Sequence, residues 1–90
     1  MDLYGLLALK GTPKIVLELN RRRAVKYSDL AEVVGYATTA SRALKALQKF
    51  GFLEKKALTE PYRPVVYYLT DKGRTLAKIL TELEQLAATA

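Results

Sequence analysis

The chain has 90 residues, half of them hydrophobic, and its 15 Lys and Arg against 9 Asp and Glu leave a net charge of +6; this describes one small domain with a thin core, too apolar to be disordered. Apolar runs such as Ile15 to Leu17 and Val65 to Leu69 are far too short to span a membrane, and Met1-Asp2-Leu3-Tyr4 lacks the basic flank of a signal peptide, so a cytoplasmic location is expected. With neither cysteine nor histidine the chain offers no disulfide framework, no thiolate or imidazole metal site and no common nucleophile or general base, so no metal or cofactor is expected and an enzyme is the weakest functional class.

Leu3, Leu6 and Leu7 predict a short apolar helical patch that Gly11 interrupts. Thr12-Pro13 then supplies a capping hydroxyl and a proline at the first helical position, where a missing N–H is harmless. The helix that follows turns Ile15, Val16 and Leu19 inward and should end near Asn20. Arg21-Arg22-Arg23 comes next, and Ala24-Val25-Lys26-Tyr27 leans toward β structure. Ser28 is the predicted N-cap of a helix whose apolar side is Leu30, Ala31, Val33 and Val34, with Asp29 in its first turn and Gly35 at its end.

Tyr36 and Ala37 separate this helix from Thr38, the predicted cap of the next. Ala40, Ala43, Leu44 and Leu47 give that helix one apolar face. Its other face carries Thr38, Thr39, Arg42, Lys45 and Lys49, with no carboxylate among them. Gly51 suits a left-handed helix end, and Phe52 to Lys56 reads as extended. A polar stretch from Ala57 to Pro64 leads into Val65-Val66-Tyr67-Tyr68-Leu69, the strongest strand of the chain. The two strands predict a hairpin with Tyr62-Arg63 at a protruding tip. Thr70 caps the last helix, whose stripe of Leu76, Ile79, Leu80, Leu83, Leu86 and Ala87 is wider than packing on one hairpin requires.

A short helix, a glycine-containing turn and a longer helix with a cationic face make a helix-turn-helix, here over about 28–50. The hairpin over about 52–69 is then a wing, and a C-terminal helix covers about 70–87. The charge distribution agrees with a polyanion partner: residues 1–63 hold 12 Lys and Arg against 6 Asp and Glu, and residues 64–90 hold three against three.

Two stretches carry a family resemblance. Ser41-Arg42-Ala43-Leu44-Lys45-Ala46-Leu47-Gln48-Lys49-Phe50-Gly51-Phe52-Leu53 is similar to the recognition helix, and its exit into the wing, of winged-helix transcriptional regulators of the MarR and HxlR type. Pro64-Val65-Val66-Tyr67-Tyr68-Leu69-Thr70-Asp71-Lys72-Gly73-Arg74 is similar to their second wing strand and the start of their final helix, and is the more specific of the two. The resemblance implies a prokaryotic source, archaeal or bacterial. It implies an α+β fold, the winged helix-turn-helix, with a three-helix core, a two-stranded wing and a long C-terminal helix in a single domain over 1–90. It further implies a sequence-specific double-stranded DNA-binding regulator, a repressor working as a homodimer. A small-molecule effector is allowed by the family but not indicated by any residue. Compared with the larger members, the 90 residues show no counterpart of their additional dimerisation helices, so the short leader and the last helix are expected to serve that task.

Thr38, Thr39, Ser41, Arg42 and Lys45 are the candidates for the groove, where Arg can clamp guanine and Thr can meet thymine or phosphate. Lys49 is a phosphate candidate or simply solvated. Lys26, Tyr27 and Ser28, at the start of the helix before the turn, are phosphate candidates. At the wing, Arg63 is the minor-groove candidate with Tyr62 beside it, and Lys55 and Lys56 rank below them. Arg21-Arg22-Arg23 either approaches the DNA backbone as a phosphate contact or points away from it, and cations at a helix end have a sufficient structural reason in the helix dipole. Leu3, Leu6, Leu7, Leu76, Ile79, Leu80, Leu83 and Leu86 either pack on their own domain or form a dimer face. Two rival readings remain: a winged-helix protein-interaction subunit of a larger complex, and a sequence-neutral chromatin-type protein.

Overall fold

The computed structural model of the chain describes residues 2–59 and 64–89. In chain order it forms α1 (Leu3–Ala8), α2 (Thr12–Arg22), β1 (Ala24–Lys26), α3 (Tyr27–Val34), α4 (Ala37–Lys49), β2 (Leu53–Ala57), β3 (Val65–Leu69) and α5 (Asp71–Ala88). Helices α2, α3 and α4 enclose the core, and the strands make an antiparallel sheet in the order β1-β3-β2. This is the predicted winged helix. The wing hairpin, with Lys55 opposite Tyr67, is joined by β1, whose Val25 lies opposite Tyr67 on the other edge. The pairing anchors the wing to the helical body through the buried Val25 side chain.

The stops of α3 and α4 fall where the sequence places them, because a left-handed glycine acts locally. Gly35 closes α3 at φ 100°. Gly51 closes α4 at φ 80° in a Schellman motif, its N–H bonded to Gln48 O (3.0 Å) and the Phe52 N–H to Leu47 O (3.0 Å). Thr70 caps α5 by accepting from the Gly73 N–H at 3.1 Å.

The starts of α2, α3 and α4 differ from expectation. The residue capping α2 is Gly11, so Thr12 is not the cap; it is fully buried, and its hydroxyl has no hydrogen-bond partner among the described residues. Strand β1 runs straight into α3, leaving no linker for Ser28 to cap; Lys26 occupies the cap and Ser28 lies inside the helix. Tyr36, not Thr38, precedes α4. None of these three caps contributes a side-chain hydrogen bond. At the other end of α2 the helix continues past Asn20 to Arg22. Glu18 pairs there with Arg21 and with Arg22 (3.6 Å), and cations favour the last turn.

Leu6, Ile15, Leu19, Leu30, Leu44, Leu47 and Leu53 form the centre of the core, each at most 2% exposed. The first half of α5 reaches it, through the buried Leu76 and Ala77 and the half-buried Leu80. From Thr81 to Thr89 every residue is exposed, so the second half of α5 runs on beyond the core; the whole chain measures 50 × 22 × 22 Å.

Candidate nucleic-acid interface

Helix α4 is held at both ends. At its start, the Tyr27 phenol donates to Ala37 O at 3.0 Å and lies 2.6 Å from Ser41 Oγ. A phenol has one proton, so Ser41 is the donor in the second bond. At its end, three residues of the Thr70-Asp71-Lys72-Gly73 run meet the exit of α4. The Thr70 hydroxyl donates to Gly51 O at 2.6 Å, and the Lys72 ammonium donates to Phe50 O at 2.7 Å while lying 4.9 Å from the Phe52 ring centroid. Gly73 is pressed so closely against the chain that a Cβ there would stand 1.8 Å from Phe52 O. The motif most specific in the sequence is therefore a clamp on the helix that precedes the wing.

The outward face of α4 presents Thr38, Arg42, Lys45 and Lys49 to solvent, with Thr39 and Ser41 half-buried. None of these cations has a carboxylate within ion-pair distance among the described residues, whose ion pairs all lie around Glu18 and Asp29. A cleft of about 380 Å³ runs along Lys45, Ala46, Lys49 and Phe50. A second, of about 190 Å³, is bounded by Thr38, Thr39 and Arg42 on α4 and by Leu9 and Lys10 on the α1–α2 loop. Lys10 was not legible as a site residue; its only local signal is a cation beside a glycine between two helices.

Around this face, Lys26 and Ser28 are exposed at the start of α3, and Tyr27 is taken up by its bonds to α4. Lys55 and Lys56 are exposed on β2. Tyr62 and Arg63 lie outside the described residues. Arg21 and Arg22 are engaged by Glu18, and Arg22 also reaches Asp29 at 3.5 Å; Arg23 is exposed, at φ 65°. On the sheet, burial and the neighbouring Tyr27 push the Tyr67 phenol above its ordinary pKa, and the bond from Tyr68 to Glu54 Oε2 (2.8 Å) does the same to the exposed Tyr68.

The apolar candidates divide into two sets. Leu6 is fully buried and Leu76 is 8% exposed, both in the core of their own domain, which corrects their expected place on a dimer face. Leu3, Ile79, Leu83 and Leu86 are 41%, 47%, 53% and 70% exposed, and Leu7 and Leu80 are half-buried. Among the described residues no helix is long and apolar enough to cross a membrane, and no three metal-ligating side chains cluster.

The model of the HxlR-like helix-turn-helix family matches residues 7–90. No curated protein sequence matches significantly. Among solved structures, the chain is similar to the transcriptional regulator YodB from B. subtilis in its reduced form: 23% identity, TM-score 0.80, 93% of this chain and 83% of that one. It is similar to a Porphyromonas gingivalis protein assigned to the MarR family of transcriptional regulators, with 27% identity, TM-score 0.79, and 92% and 82% of the two chains. Streptococcus pneumoniae FabT, solved in complex with DNA, shares 18% identity at TM-score 0.75; 84% of this chain covers 54% of FabT.

Proposed function

Because the chain belongs to the HxlR-like helix-turn-helix family, we propose that it is a sequence-specific, double-stranded DNA-binding transcriptional regulator. It acts in the cytoplasm as a homodimeric repressor, without catalytic activity, metal or cofactor. The domain spans 1–90. Helix α4 enters the major groove with Thr38, Thr39, Arg42 and Lys45 toward base edges and Lys49 toward phosphate. Lys26 and Ser28 meet the backbone from the start of α3, and the wing tip with Tyr62 and Arg63 lies over the adjacent minor groove. Leu83 and Leu86, with Ile79, Leu80 and the exposed Leu3 of α1, pair with a second copy. Since the 90 residues contain no cysteine, they hold no thiol through which to be regulated.

One observation carries this reading: the exposed face of α4 is cationic and hydroxylated, has no acidic partner among the described residues, and belongs to a helix clamped at both ends. A surface prepared in advance suits a rigid, negatively charged groove, since little is left to order on binding. The deciding experiment is selection of bound duplexes from a randomised pool at roughly physiological salt. An enriched inverted repeat is expected, with half-sites about one helical turn apart. Binding without enrichment identifies a sequence-neutral coating protein. No binding assigns the cationic face to a protein or RNA partner.

A further inference from the structure

Lys10 stands apart from every residue that the sequence singles out, yet the fold carries it to the start of α4. The loop that bears it is tightly specified. Gly11 adopts φ 89°, and a Cβ there would lie 2.8 Å from both γ-methyls of Val34, so the loop packs directly on the end of α3. The Thr12 N–H closes the loop onto Leu9 O at 3.2 Å. The Lys10 ammonium lies 5.2 Å from the ring centroid of Tyr36, the residue that precedes α4. A cation over an exposed tyrosine ring is held modestly, enough to bias the side chain while leaving the charge available to a ligand.

We propose that Lys10 is a further DNA contact, a ligand for a backbone phosphate in the cleft between the α1–α2 loop and the first turns of α4. The inference rests on the DNA-binding reading above and deepens it. Two cations and two hydroxyls, Lys10, Arg42, Thr38 and Thr39, converge on this cleft of about 190 Å³, and its lining contains no carboxylate. Thr38, Thr39 and Arg42 face the base edges from α4, which leaves Lys10, on the loop side of the cleft, to meet the oxygens of the bordering phosphodiester. Lys10 comes from a loop beside the groove-facing helix, so it meets the strand that borders the groove rather than base edges. A lysine ammonium is a point charge suited to that role.

The test is a salt titration of duplex binding by the full chain, comparing wild type, Lys10→Met and Lys10→Arg on the selected duplex and on an unrelated one. Lys10→Met is expected to weaken both duplexes by the same factor, about threefold to tenfold at about 0.15 M salt. It should also reduce the slope of log K against log salt by about one. Lys10→Arg restores both quantities. Lys10 is exposed, so the thermal melt of Lys10→Met should match wild type. Unchanged affinity and slope in Lys10→Met overturn the assignment while the regulator reading stands. A loss confined to the selected duplex overturns it too, since Lys10 would then read bases. Failure of the regulator reading shows separately, as wild-type protein that binds neither duplex.

Discussion

The Tyr27 phenol and the Ser41 hydroxyl stand 2.6 Å apart, and this bond joins the first residue of α3 to the second turn of α4. Because Tyr27 donates its only proton to Ala37 O, Ser41 must donate to Tyr27, which leaves the Ser41 oxygen only as an acceptor toward a ligand. Tyr27→Phe is therefore expected to remove two hydrogen bonds, lowering stability by about 1–2 kcal/mol and the melting temperature by several degrees. Duplex affinity should fall with it, because the angle at which α4 leaves the turn is less constrained. Ser41→Ala should be milder in both respects. If Ser41→Ala instead changes the preferred duplex while Tyr27→Phe does not, Ser41 is a base reader and the clamp is incidental.

Arg42 and Lys49 should separate by the kind of loss they cause. Arg42→Ala is expected to lower affinity for the selected duplex by about 1–3 kcal/mol and to relax the preference at one base position. Lys49→Ala should weaken all duplexes alike and flatten the salt slope by about one. Both residues are exposed, so the unfolding curves should overlay wild type. Undiminished duplex binding by the double variant Arg42→Ala, Lys45→Ala would show that another surface meets the DNA.

The clamp at the far end of α4 predicts a sharp contrast between adjacent residues. Gly73→Ala would place a methyl 1.8 Å from Phe52 O, a backbone atom that cannot swing aside, so destabilisation of about 3 kcal/mol or more is expected in denaturant titration. Lys72→Met removes one exposed hydrogen bond to Phe50 O and should lower stability by only about 0.5–1.5 kcal/mol. Faster amide exchange at the last turn of α4 should accompany it. Equal effects of the two changes would mean that α5 does not approach Phe52 as closely as described.

Two leucines on the same helix should behave as different kinds of residue. Leu76 is 8% exposed, so Leu76→Ala is expected to destabilise the protomer by about 2–4 kcal/mol. Leu86 is 70% exposed, so Leu86→Glu should leave the protomer folded and convert dimer to monomer in sedimentation. The melting temperature of wild type should rise with protein concentration, and that of Leu86→Glu should not. A wild-type chain that sediments as a monomer at all concentrations would exclude the α5 tail as a dimer surface.

What could be read from the chain alone was whatever acts through near neighbours. The apolar spacing of Ala40, Ala43, Leu44 and Leu47 marked the inner face of α4, and all four are buried. Gly35, Gly51 and Thr70 marked two helix ends and one start, because a left-handed turn or a capping hydroxyl is complete within one turn of chain. The cationic face of α4 was visible for the same reason: a helix sets which residues share a side.

Tertiary structure decided the rest. Thr12, Ser28 and Thr38 each looked like caps, but the strand that enters α3 and the loops that enter α2 and α4 moved every start by one or two residues. Leu6, Leu76 and Leu86 are indistinguishable as apolar residues on helical stripes. Which are core and which are bare depends on where α1 crosses the bundle and where α5 leaves it. Lys10 reaches the first turn of α4 only because Gly11 lets the loop close on Val34, a contact between segments more than twenty residues apart in the chain. Periodicity and capping chemistry are local and were legible in the order of residues. Burial, helix entry angles and the company a charge keeps depend on contacts between distant segments, and only the folded chain settles them.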